Sequence, residues 1–177
     1  MKSLLTTVCV LIAVSLMAGN TKEAQSSFGK NFLPIWEVST NNALDVAKAM
    51  PEDLYDYKPN DSSRTFAEQM VHIATSSKGI AEGFITGQRS GGESPKASEL
   101  SKTQIIELME KNFAAVADMI AGMTDAQANE TIKVFGGKEV VRYIAVMFIQ
   151  DHLANHRAKA NLYIRMNDIR PPRYGFF

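Results

Sequence analysis

The chain has three histidines, and two of them, His152 and His156, stand four residues apart in VVRYIAVMFIQDHLANHRAKANLYIRM, residues 140–166. That stretch contains neither proline nor glycine, and its apolar first half runs into a polar second half. On a helix, side chains at i and i+4 leave from one face, a single turn or about 6 Å apart. Both rings can then bind one cation. Imidazole is the commonest protein ligand for zinc, nickel, copper and iron, and it needs no help from cysteine. The third histidine, His72, falls on a separate predicted helix. Three protein ligands with a position left open describe a catalytic metal centre rather than a closed structural one. At the open position a substrate is polarised, or the pKa of a bound water falls towards about 7. The competing reading of His152 and His156 is a hydrogen-bonded polar patch at the end of a buried helix. Asp151 and Asn155 alternate with them, and either orient ring N–H groups or are solvated. Tyr163 falls on the His156 side of the helix, where its hydroxyl is a candidate proton donor. Arg157 and Arg165 read as surface or salt-bridge residues.

The metal reading requires an all-α fold, a bundle that carries His72 to the pair. Residues 31–50 place Phe32, Ile35, Trp36, Ala43, Leu44 and Ala47 at helical spacings before Pro51. The proline-bearing segment 51–64 reads as an ordered loop anchored by Leu54, Tyr55 and Tyr57. Thr65-x-x-Glu68 has capping-box spacing and predicts a helix over 66–85. Its apolar stripe holds Phe66, Met70, Ile73, Ala74, Ile80, Ala81 and Phe84. His72 lies opposite that stripe among Ser76, Gly79 and Gly83, so it is either exposed or lines a cleft that its small neighbours leave open. Residues 87–98 (GQRSGGESPKAS) read as a flexible linker. Ser101-x-x-Gln104 predicts a helix reaching about residue 123, with Ile105, Leu108, Met109, Phe113, Val116 and Ile120 buried. Thr124-x-x-Gln127 predicts a short turn, and TIKVF at 131–135 a brief strand. Gly136-Gly137 breaks the chain before the last helix. That helix is apolar almost all round from Val140 to Ile149, which predicts a central place in the bundle. The tail IRPPRYGFF is expected to pack extended against it.

Composition narrows the function classes. With 19 basic and 19 acidic residues the formal charge is zero, so the basic footprint of a nucleic-acid binder is absent. Residues 1–19 differ from the rest: Lys2 precedes an uncharged apolar run that ends at Gly19. The run is shorter than the roughly 20 residues a spanning helix needs. It reads as a secretory signal, the alternative being an uncleaved anchor. Residues 20–30 then form a flexible lead-in and 31–177 the bundle, an exported periplasmic or secreted protein with no membrane span in its mature part. Cys9, the only cysteine, lies inside the signal run, so the mature chain would carry no thiol or disulfide. No glycine-rich phosphate loop, Ser-His-Asp signal or acid–base carboxylate pair is evident.

The order of the motifs resembles the DinB family, the DNA-damage-inducible proteins and their YfiT-like relatives. The resemblance runs from about Phe32 to Tyr174. It rests on Tyr57-Lys58-Pro59, RTFAEQMVHIA, DHLANHRAKANLYIR and the closing Ile169-Arg170-Pro171-Pro172-Arg173-Tyr174. It implies a four-helix bundle in which three histidines, here His72, His152 and His156, bind a divalent metal, often zinc or nickel. It also implies pairing into homodimers. Asn155 stands where a further histidine is common, and Ala158-Lys159 replaces a usual Gly-Gln pair, so the ligands survive while the substrate side is altered. Some relatives are thiol-dependent transferases or isomerases, a chemistry less suited to an exported protein. Two functions follow. One is a metal-dependent enzyme acting on a small molecule, by hydrolysis or thiol addition. The other is a non-catalytic bundle that binds a ligand or partner, its metal structural or absent.

Overall fold

A computed structural model describes residues 26–88 and 94–176. The expected signal segment, with Cys9, lies outside the described residues, as do residues 20–25 of the lead-in and 89–93 of the linker. Four long helices carry the fold: α1 (Ser27–Ala49), α2 (Phe66–Ala81), α3 (Lys102–Ala121) and, last, α5 (Arg142–Met166). They pack in the cycle α1–α3–α2–α5, each against two neighbours, as a four-helix bundle. A short α4 (Asp125–Asn129) and a two-stranded hairpin, β1 (Thr131–Lys133) with β2 (Glu139–Val141), bridge α3 to α5. Among the described residues no helix is long and apolar enough to cross a membrane.

Local chemistry sets most of the boundaries. All three capping boxes form: Thr65 with Glu68, Ser101 with Gln104 and Thr124 with Gln127 each satisfy two otherwise free N–H groups. Helix α1 begins earlier than the apolar spacing suggests. Ser26 caps it by accepting from Gly29 N at 2.9 Å, and the backbone N–H and hydroxyl of Ser27 both donate to Asp125 Oδ1. The expected lead-in is therefore helical from Ser27 onward. Pro34 becomes an interior residue, and its exposed position leaves the Lys30 carbonyl open to water.

The core runs the length of the bundle. Trp36 donates to the Phe113 carbonyl at 3.2 Å and meets the Phe113 ring edge-on. Around it Phe66, Met70, Ile73, Ile105, Met109, Ile149 and Leu153 are fully enclosed. Two expectations for the last helix are corrected. Val140 and Val141 are strand residues, paired with Ile132 and Thr131, because the turn at Gly136 and Gly137 (φ +73° and +75°) reverses the chain onto β1. Nor is the first half of α5 central. Val146 and Ile149 are buried, yet Ile144, Met147 and Phe148 are 49%, 49% and 42% exposed. In a ring of four helices none is encircled, so an all-round apolar stretch must leave one side outside.

Helix α2 does not run straight to residue 85. It widens after Ala81 into one π-helical turn, Glu82–Thr86, ended by Gly87 at φ +72°. Arg142, at the start of α5, secures that turn. Its guanidinium donates to the carbonyls of Phe84 and Ile85 while pairing with Glu130 at 2.6 Å. Beyond the turn the linker is not wholly loose, since Ala97 is buried in a 3₁₀ turn, Ala97–Glu99. The tail is extended and docked: Gly175 exchanges two hydrogen bonds with the Asn42 side chain, and the Arg157 guanidinium lies 4.9 Å from the Tyr174 ring centre.

Candidate metal centre

Helices α2 and α5 pack side by side and bring His72 to the pair expected from spacing. The ring centres lie 4.4 Å apart for His72–His156, 4.6 Å for His152–His156 and 5.2 Å for His72–His152. One nitrogen from each ring falls within 4.8 Å of the others, with His156 buried and the other two half-buried. Three imidazoles drawn to metal–nitrogen bonds of about 2.1 Å in a tetrahedron would sit about 3.4 Å apart. Closing that gap takes small side-chain rotations.

The hydrogen bonds around the two rings on α5 indicate which nitrogen of each carries the proton. His156 Nδ1 lies 2.8 Å from Gln69 Oε1. A carbonyl oxygen only accepts, so Nδ1 carries the proton and Nε2 keeps its lone pair. Gln69 is itself held: it is buried, and its Nε2 lies 3.4 Å from the Tyr163 hydroxyl. The second histidine on α5 follows the same logic more weakly. Ser76 spends its one hydroxyl proton on the His72 carbonyl, so its oxygen faces His152 Nδ1, 3.4 Å away, as an acceptor. Each ring on α5 therefore keeps the lone pair of Nε2 free, and the partner of Nδ1 fixes the tautomer.

Electrostatics favour neutral rings. Burial, then Arg64, His152 and Lys159, brings His72 from the ordinary 6.5 down to about 4. Burial, the other two histidines, Lys159 and Arg64 take His156 to about 4 as well. His152 is lowered by burial, Lys159 and Arg64, against a small opposing pull from Asp151. All three lone pairs are therefore available at neutral pH. Three neutral nitrogens with no carboxylate among them suit zinc, nickel, copper or iron rather than calcium or magnesium. The residues present fit a transition-type cation.

A cleft of about 520 Å³ opens beside His72, lined among others by Arg64, Glu68, Thr75 and Lys96. Glu68 is committed to its capping box, accepting from Thr65 N at 2.7 Å. Asp151 and Asn155 are exposed, which is the solvated alternative for both. Tyr163 is 4% exposed and stands behind Gln69, so its hydroxyl braces that side chain instead of facing the ligand nitrogens. The residue that the spacing argument missed is Gln69. Its signal was available: it occupies a core position of the α2 stripe between Phe66 and Ile73, where an amide needs a partner.

The comparisons with known proteins bear on family and fold. The sequence profile of the DinB superfamily matches residues 35–160, and the chain belongs to that superfamily. No curated protein matches it. A DinB-like protein from Bacillus cereus ATCC 10987 is similar in structure, with a TM-score of 0.71 at 20% identity, over 87% of this chain and 99% of that one. A second DinB-like protein, YjoA from Bacillus subtilis, gives 0.62 at 22% identity, over 83% of this chain and 96% of that one. At such identities the likeness is one of fold.

Proposed function

We propose that this is a metal-dependent enzyme in which His72, His152 and His156 hold one divalent ion, zinc or nickel, and the remaining coordination positions take a small-molecule substrate. The observation that carries the reading is the shared orientation of His152 and His156. Each has its Nδ1 beside a side-chain oxygen, of Ser76 or Gln69, which leaves Nε2 as the nitrogen free to bind an ion. A surface patch of histidines has no reason to be arranged this way. When bound, such an ion supplies Lewis-acid polarisation of a substrate atom or acidifies a water or thiol placed beside it. The protein contributes no negative ligand, so the ion's charge is left for the substrate side to neutralise. Arg64, on the wall of the adjoining cleft, adds to that preference for an anionic oxygen or sulfur. Hydrolysis and thiol-dependent transfer both use this arrangement.

The reading includes export, which rests on the composition of residues 1–19 alone, and a homodimeric assembly, which rests on the family resemblance alone. Metal analysis of the purified protein beside a His156→Ala variant tests the centre. One equivalent of metal per chain in the parent, lost in the variant, is the expected result. Equal trace metal in both would leave a non-catalytic bundle that binds an apolar ligand or a partner.

A further inference from the structure

Arg64 has no ion-pair or hydrogen-bond partner among the described residues, and it stands on the wall of the cleft of about 520 Å³ that His72 also lines. A molecule filling that cleft therefore lies against a ring of the metal centre. The volume is that of a pocket for a small metabolite. Val71 and Ala97, both buried, supply apolar lining. Its charges are few. Two cations, Arg64 and Lys96, face one acid, Glu68, so the walls carry one positive charge in excess. Lys96 is paired with Glu99 at 3.3 Å, which leaves Arg64 to supply that excess. Its field reaches the centre. Arg64 and Lys159 lower all three histidines, and the one opposing acid, Asp151, acts on His152 alone. A divalent ion held by neutral rings among these cations is short of negative charge, which the bound molecule has to bring.

We infer that the substrate carries a carboxylate in addition to its metal-bound group, and that this carboxylate seats on the Arg64 guanidinium in the cleft between α2 and residues 94–98. The inference deepens the metal reading and rests on it for the head of the molecule; the carboxylate rests on the cleft. A guanidinium presents parallel N–H donors that match the two oxygens of a carboxylate. Charge decides against a phosphate, which brings about −1.5 to −2 at neutral pH and would outweigh the excess on the walls. The neighbouring hydroxyls do not compete for the anion. Thr75 spends its proton on the Val71 carbonyl at 2.9 Å, and Ser94 spends its own on Thr75 at 3.3 Å.

The monohydroxamates of succinate, glutarate and adipate carry a metal-binding head and a carboxylate at rising separation. Their methyl esters remove the charge and keep the head. Titrated calorimetrically into zinc-loaded protein, at least one acid should bind roughly 10- to 100-fold more tightly than its ester. Arg64 is exposed, so Arg64→Gln leaves the packing intact. That variant should keep its zinc and bind acid and ester alike. Arg64→Lys should restore part of the preference, since the charge returns without the fork. Equal affinity of acid and ester for the parent at all three lengths overturns the inference, as does a preference that Arg64→Gln leaves intact. Acetohydroxamate reads the head alone, and its failure to bind zinc-loaded protein would overturn the metal reading instead. The cleft is then read by glutarate in a chemical-shift titration of metal-free protein. Binding by the parent and not by Arg64→Gln supports the carboxylate seat, and no binding by the parent overturns it.

Discussion

Replacing Gln69 by leucine tests how the fold prepares its ligands. The amide oxygen sits 2.8 Å from His156 Nδ1, and the residue is 4% exposed. Leucine preserves most of the volume, so the packing against the α2 stripe should survive. Two costs remain. The His156 N–H loses its acceptor in a buried place, which costs about 1–3 kcal/mol of stability. The ring also loses the bond that fixes its tautomer and raises its basicity, which typically weakens metal affinity by about 10- to 100-fold, or about 1.4–2.8 kcal/mol. Competition for zinc against a chromophoric chelator at pH 7.5 reads the second effect, and urea unfolding of the metal-free protein reads the first. A Gln69→Glu variant gives the opposing arm, because a carboxylate is the stronger acceptor and the Tyr163 hydroxyl can turn to donate to it. Zinc should then bind at least as tightly as in the parent. If Gln69→Leu folds and holds zinc with unchanged affinity, the amide is mere filling and the tautomer argument is wrong.

Protonation should expose the buried imidazoles. His72 and His156 stay neutral in the folded chain down to about pH 4, whereas the unfolded chain takes up those protons near 6.5. Unfolded protein then binds more protons between these values, so stability falls as pH drops from about 6.5 towards 4 and is flat above. For His156 the full shift would be about 3 kcal/mol; solvent screening through the half-buried His72 and His152 beside it reduces this to roughly 1.5–2 kcal/mol. Urea midpoints of metal-free protein at pH 7.5, 6 and 4.5 measure it, and loss of most of the pH dependence in His72→Ala with His156→Ala assigns it, the remainder belonging to His152. Arg142→Met should cost about 2–4 kcal/mol, seen as a lower thermal midpoint, since the Phe84 and Ile85 carbonyls of the π-helical turn lose their donor. An unchanged midpoint would mean that water serves those carbonyls equally well. Asn42→Ala removes both hydrogen bonds to Gly175, at about 1 kcal/mol, and should speed tryptic cleavage after Arg173 without altering metal content. Equal cleavage rates would show that the Arg157–Tyr174 contact alone retains the tail.

Features that depend on near neighbours in the chain were legible in the sequence. The three capping boxes follow from a side chain and a backbone group three residues apart, and the His152–His156 pair follows from helical geometry. His72 could be placed on the face opposite its core stripe, and that face is the one that meets α5. What tertiary contact decides was not legible. Ser27–Lys30 turn helical because Asp125, nearly a hundred residues on, holds the start of α1. Val140 and Val141 read equally well as helix or strand until β1 is available to pair with them. The outward side of α5 depends on how many helices surround it, which no periodicity reveals. Gln69 gave a faint signal, a polar residue on an apolar stripe, but its partner came from another helix.

The central claim is that three imidazoles share one cation and leave it a coordination position open. X-ray absorption of the zinc-loaded protein counts them directly. The account predicts three imidazole nitrogens at about 2.0–2.1 Å plus one or two light atoms, with the light-atom shell altered on adding acetohydroxamate. Two imidazoles or fewer, or a closed shell that acetohydroxamate leaves unchanged, would contradict it.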